Sequence, residues 1–182
     1  MDVSLPDNED NDIILYLSDP SEIRASNINV IRKAEEGGYS VIIITTNFPA
    51  SVLEKIYNKN GINTDNIYFI DAISAQSFGK SPENDDHHFM VSSPADLTKL
   101  GIAISEDIKR MQDKKIFVLF DSVSTLLIYL PSVKIIKFMH FLSNKLRQIS
   151  LKGVFLAVDG GLDPMMMAQL SSMVDEVVKP GE

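Results

Sequence analysis

The chain has 182 residues, no cysteine and a formal net charge of -8. That length favours one domain with a real core, and the missing thiols exclude disulfides and thiolate metal sites. The acidic balance disfavours nucleic acid and anionic membranes as partners unless the basic residues cluster.

Residues 1–11, MDVSLPDNEDN, read as a disordered acidic tail, and a single α/β domain is expected over 12–182. The tail has no basic stretch followed by an apolar one, so a secretory leader is not expected. The longest apolar runs, around 41–44 and 116–120, are far too short to span a bilayer. A reducing, cytoplasmic setting is expected.

Ile13–Leu17 is a short continuous apolar run, as in a strand buried on both faces. Ile23, Val30, Ile31 and Ala34 follow at helical spacing, and Gly37-Gly38 ends that helix. Val41–Thr45 is a second strand, rich in β-branched residues. Val52, Leu53, Ile56 and Tyr57 mark a short helix stopped near Gly61, and Ile67–Ile70 a third strand. Residues 73–88 are polar, with Gly79, Pro82 and an acidic run, and predict a long loop, mobile in the free chain. Phe89–Val91 reads as a short strand. Ser93 is placed to cap a helix, with Pro94 at its first position and Asp96 favouring its dipole. Leu97, Leu100, Ile104, Ile108 and Met111 form its apolar stripe. Ile116–Phe120 is the most strand-like segment. A long helix over about 132–149 turns Ile135, Met139, Leu142, Leu146 and Ile149 inward. Val154–Val158 is another strand, Pro164–Met173 a last helix and Glu176–Lys179 a last strand.

Strands alternating with helices, each strand apolar throughout, predict an α/β fold of three layers. About seven mainly parallel strands would carry helices on both faces, with Ile13–Leu17 and Ile116–Phe120 both central. Right-handed crossovers put every strand's C-terminal end on one edge, where such sheets bind ligands. The candidate residues are those just past each strand: Ser18-Asp19-Pro20, Thr46-Asn47, Asp71, Asp121-Ser122 and Asp159-Gly160-Gly161.

Other features have plainer readings. SAQSFGKS at 74–81 is a near miss for a phosphate loop, but no apolar-periodic helix follows it to supply an anion-binding N-terminus. Asp85-Asp86-His87-His88 carries metal-ligand types, yet adjacent residues rarely converge on one ion, so no metal is expected. His140 reads as a surface histidine, and Met165-Met166-Met167 as core filling. Lys134, Lys137, Lys145 and Arg147 read as a solvated basic face.

KKIFVLFDSVSTLLIY, residues 114–129, resembles the Walker B segment of RecA/KaiC-like ATPases. TTNFPASVLEKIYNKNGI (45–62), NIYFIDAIS (66–74), VSSPADLTKLGIAISEDIKRM (91–111) and SMVDEVVKP (172–180) resemble further segments of that family in the same order. The likeness spans roughly 12–180 and is similar to uncharacterised archaeal KaiC-like paralogues. It implies a RecA-like fold in which Asp121, with Ser122 beside it, is the cofactor-binding pair, the Asp orienting Mg²⁺ through water. Two departures bear on activity. Where the family carries G-x-x-x-x-G-K-[ST], residues 18–29 read SDPSEIRASNIN, with neither Gly nor Lys. Where it carries a catalytic Glu, this chain has Thr46 and Asn47. The expected function is therefore a non-catalytic regulatory or protein-interaction module, without catalytic residues or cofactor, whose partner is another protein or a second copy. The alternative is a nucleotide-binding protein or weak NTPase that holds ATP and Mg²⁺ through Asp121, Ser122 and the 74–81 loop.

Overall fold

The computed structural model describes residues 13–78 and 84–180. Seven strands form one sheet: β1 (Ile13–Ser18), β2 (Ser40–Thr45), β3 (Ile67–Asp71), β4 (His88–Met90), β5 (Ile116–Asp121), β6 (Lys152–Val158) and β7 (Glu176–Val178). Their order is β4-β3-β2-β5-β6-β1-β7, and every neighbouring pair is parallel. Both β1 and β5 lie inside the sheet, as their unbroken apolar runs require.

Alternate strand residues face opposite sides, and the two sides form separate cores. Ile13, Leu15 and Leu17 of β1 pack with Ile42, Ile44, Val118 and Phe120 under α4 (Leu97–Arg110), α5 (Ser132–Gln148) and α6 (Pro164–Ser171). Ile14 and Tyr16 pack with Ile43, Phe117 and Leu119 under α1 (Ile23–Glu36) and α2 (Ala50–Lys59). Each large apolar side chain so buried stabilises the fold by about 1.5–3 kcal/mol. Helix α1 ends as its glycine pair requires: Gly38 takes φ +71°, and Tyr39 N–H returns to the Ala34 carbonyl at 3.0 Å.

The structure departs from the sequence reading in several places. Within 73–88, Ser74–Phe78 forms a short helix, α3. Its start is fixed by Asp71, which accepts from Ile73 N–H and Ser74 N–H at 2.8 Å each. Residues 79–83 of the expected loop lie outside the described residues, as do the acidic tail and the whole GKS end of the near-miss motif. Strand β4 begins one residue early. Helix α4 is capped by Asp96, which accepts from Lys99 N–H at 3.0 Å, rather than by Ser93. Ser93 Oγ instead accepts from Ala95 N–H, which holds Pro94 in a turn ahead of the helix. Ile149 follows the last turn of α5 and is 42% exposed, so it does not face the core. Met166 is buried, but Met165 is on the surface.

Candidate functional site

The C-terminal ends of the strands stand in register, Thr45 beside both Asp71 and Asp121, and Ser18 beside Val158. The β1–α1 connection is a tight turn. Asp19 Oδ1 accepts from Ser21 N–H at 2.8 Å and from the Ser21 hydroxyl, and Glu22 N–H reaches the Asp19 carbonyl at 2.9 Å. The Ser21 hydroxyl and then its amide hold the Asp19 carboxyl below the usual range. Ser18 turns inward, its hydroxyl 2.7 Å from that of Ser26.

Asp121 ends β5 and is 1% exposed. Asn27 of α1 donates from Nδ2 to Asp121 Oδ2 at 2.8 Å, and the Tyr57 hydroxyl of α2 donates to Asn27 Oδ1 at 2.7 Å. Asp121 Oδ1 is buried with no hydrogen-bond partner. Burial pushes the Asp121 carboxyl up to about 7, against the lowering effect of Asn27. Burial, and then the Asp121 charge, drive the Tyr57 hydroxyl well above its ordinary value despite its bond to Asn27. The trio is a buried polar chain that joins β5 to both helices of one layer.

Ser122 is equally buried, but its hydroxyl goes elsewhere, to Thr125 Oγ at 2.6 Å in a 3₁₀ turn over Ser124–Ile128. The Asp121–Ser122 peptide is cis. Thr46 fixes this backbone: its N–H donates to the Asp121 carbonyl at 2.7 Å, and its Oγ1 accepts from Ser122 N–H at 3.1 Å. Asp71 is fully used. Besides Ile73 and Ser74, Oδ2 accepts from Ala50 N–H at 2.7 Å and from the Ser74 hydroxyl at 2.6 Å, so one carboxylate pins the starts of α2 and α3. Asp159 pairs with Lys179 at 3.2 Å, and its N–H donates to the Ser18 carbonyl at 2.8 Å.

The sequence candidates thus share an edge but not one site. Asp121 joins Asn27 and Tyr57, Ser122 joins Thr125, and Asp71 serves two helix starts. Asn27 and Tyr57 escape sequence reasoning, although Asn27 interrupts the apolar stripe of α1 at helical spacing from Ile23, Val30, Ile31 and Ala34, which is a visible signal. The histidines of the 85–88 run are packing elements. His87 stacks on Tyr68 at 4.7 Å and His88 on Phe69 at 5.2 Å. Among the described residues no His, Cys, Asp and Glu cluster of three or more could hold a metal, and no helix is long and apolar enough to cross a membrane. Arg147 is tied to the Met173 carbonyl at 2.6 Å and to Asp175 at 2.9 Å, so it is not part of a free basic face. His140 is on the surface.

A family model described as "Family of unknown function (DUF7504)" matches residues 18–180. Two solved structures share the fold. One is a KaiC-like protein, PH0186, from the hyperthermophilic archaeon Pyrococcus horikoshii OT3, with TM-score 0.63 and 13% identity over 92% of this chain and 70% of that one. The other is an uncharacterised protein, PH0321, from Pyrococcus horikoshii in complex with an unknown peptide, with TM-score 0.72 and 13% identity over 94% of this chain and 78% of that one. No curated protein matches the chain in sequence.

Proposed function

The chain belongs to the DUF7504 family of unknown function, and with its KaiC-like fold as premise we propose that it is a non-catalytic RecA/KaiC-like domain serving as a regulatory or protein-interaction module. One observation carries this reading. The carboxylate that the resemblance would assign to Mg²⁺ is buried beneath α1 and α2 and holds Asn27 as its partner. The turn after β1 supports it. It presents the Asp19 carboxylate and a Pro20 without an N–H, where a triphosphate needs several amide donors and a cation. Neither Thr46 nor Asn47 offers a carboxylate to orient an attacking water. The donor set at this edge therefore fits Mg-ATP poorly, and no step is assigned to it. The peptide held by PH0321 shows that a protein of this fold can engage polypeptide.

The alternative, a nucleotide-binding protein with a rewired site, is favoured by the unpaired Oδ1 of Asp121, which a cation or its water could occupy. A melting curve separates the two. Millimolar Mg-ATP should leave the melting temperature unchanged and should not be hydrolysed. A ligand at about 100 times its Kd would add about 2.7 kcal/mol, which is easily seen. An ATP-dependent rise that disappears in Asp121→Ala would instead establish the rewired site.

A further inference from the structure

The outer surface between α4 and α5 holds a groove of about 680 Å³. Its walls are apolar: Ile102 is 52% exposed and Phe141 48%, and the buried Phe138 also lines it. Both helices are crossovers between parallel strands, so they run side by side from the C-terminal edge of the sheet. From Leu97 to Lys109 the groove spans about 18 Å at about 1.5 Å per residue, or a little over three helical turns.

Gly101 lies in its floor. A glycine inside a helix weakens it, and here close packing does not require one. A Cβ at 101 would stand 3.4 Å from the Phe141 ring and 3.8 Å from that of Phe138, ordinary contact distances. What the missing Cβ does is keep the floor open between the two aromatic rings.

The rim is basic. Lys134 and Lys137 flank the end nearer the sheet's C-terminal edge, and Lys109 the other end, against one acid, Glu106. None of the three lysines makes an ion pair among the described residues. A chain of net charge -8 thus places unpaired cations around its apolar groove. A second copy docked symmetrically would set this rim against itself, lysine against lysine, so charge argues against self-pairing here.

We propose that the α4–α5 groove docks an acidic amphipathic helix of a partner protein, with apolar side chains seated over Gly101 and carboxylates meeting Lys134, Lys137 and Lys109. This rests on the interaction-module reading and gives it a surface and a partner chemistry. Helix-in-groove recognition needs apolar anchors at i, i+3, i+4 and i+7, and the groove is long enough for them.

The test uses a fluorescein-labelled synthetic helix of about 14 residues, long enough to fill the groove. It carries Leu at those anchor positions and Glu on its other face, and its Kd is read by anisotropy at low salt. Wild type should bind it, and should bind a Lys-for-Glu version of the peptide far more weakly. Lys134→Glu with Lys137→Glu should weaken binding by about tenfold or more. Gly101→Ala should weaken it by about fourfold, the worth of one methyl group, without lowering the melting temperature, because Ala is the better helix former. No binding by wild type, equal binding of the basic peptide, or wild-type affinity in either variant overturns the proposal. So does a dimer in sedimentation that those variants dissociate, which would assign the groove to a second copy. Melting with Mg-ATP on the same samples keeps the two failures apart. Absent peptide binding without an ATP shift removes this groove alone, whereas an ATP shift lost in Asp121→Ala removes the interaction-module reading.

Discussion

Asn27 and Asp121 are 94 residues apart in sequence and 2.8 Å apart in space, the amide of the first donating to the buried carboxylate of the second. The bond uses one carboxylate oxygen and leaves the other bare. A buried carboxylate without its full set of donors resists ionising, which is why this one titrates at about 7 rather than 3.8.

That pKa gives a signed prediction for stability. The folded chain holds the Asp121 proton up to about pH 7, and the unfolded chain releases it near 3.8. Between those values the folded state binds more protons, so stability falls as pH rises and levels off above the folded pKa. Between pH 5 and pH 8 the loss is roughly 3 kcal/mol, at about 1.4 kcal/mol for each pH unit up to the folded pKa of about 7. Asp121→Asn keeps an acceptor for Asn27 and cannot ionise. Urea titrations should show wild type losing stability relative to Asp121→Asn across this range. Every other ionisable side chain is common to the two proteins, so its contribution cancels in the difference. Parallel stability profiles for the two proteins would mean that Asp121 is ionised throughout.

A second prediction concerns the donor. Asn27→Leu removes the one hydrogen bond to the Asp121 carboxylate among the described residues and also strands the Tyr57 hydroxyl. At pH 8 it should cost about 2–4 kcal/mol, the desolvation of two buried groups left unpaired. At pH 5 the cost should be smaller, because Asp121 is then neutral. Pairing Asn27→Leu with Asp121→Leu and Tyr57→Phe should recover much of the loss, since an apolar replacement leaves no orphan. Equal cost at both pH values would show that packing at position 27, and not its amide, is what matters.

The frame of the molecule is legible in the sequence because strands such as Val41–Thr45 are apolar on both faces, and only a covered parallel sheet buries both. The helix ends at Gly38 and Pro164 are equally readable, since φ +71° at one and a helix start at the other are local demands. The edge is less legible. Asp121 is marked by its place after a buried strand, but its partners come from α1 and α2, and no local pattern records that Asn27 and Tyr57 converge on it. The 73–88 segment fails for a related reason. Its polar composition describes a loop, yet Ser74–Phe78 becomes helical because Asp71, outside the segment, supplies the acceptors for its first amides. Ser93 and Asp96 are both competent caps, and the backbone settled on the second.

Asp71 supplies the last prediction. It shares an edge with Asp121 and is buried to nearly the same degree, but its surroundings are opposite. Three backbone amides and one hydroxyl point at its two oxygens, drawn from the starts of α2 and α3. Such donors act on the charged carboxylate and complement the positive ends of the helices. Asp71→Ala would leave four donors facing a small cavity, and Asp71→Asn would turn an amide N–H toward donors already there. Each should cost about 3 kcal/mol or more, the range for a removed member of a buried charged network. Asp121→Asn should cost far less. The loss should also be local at first, with faster amide exchange at Ala50, Ile73 and Ser74 before global unfolding. Denaturant melts of Asp71→Asn and Asp121→Asn at pH 7, with amide exchange on the first, make the comparison. If the two cost the same, the edge carboxylates are interchangeable packing groups, and the contrast between a satisfied helix pin and a half-paired buried acid is wrong.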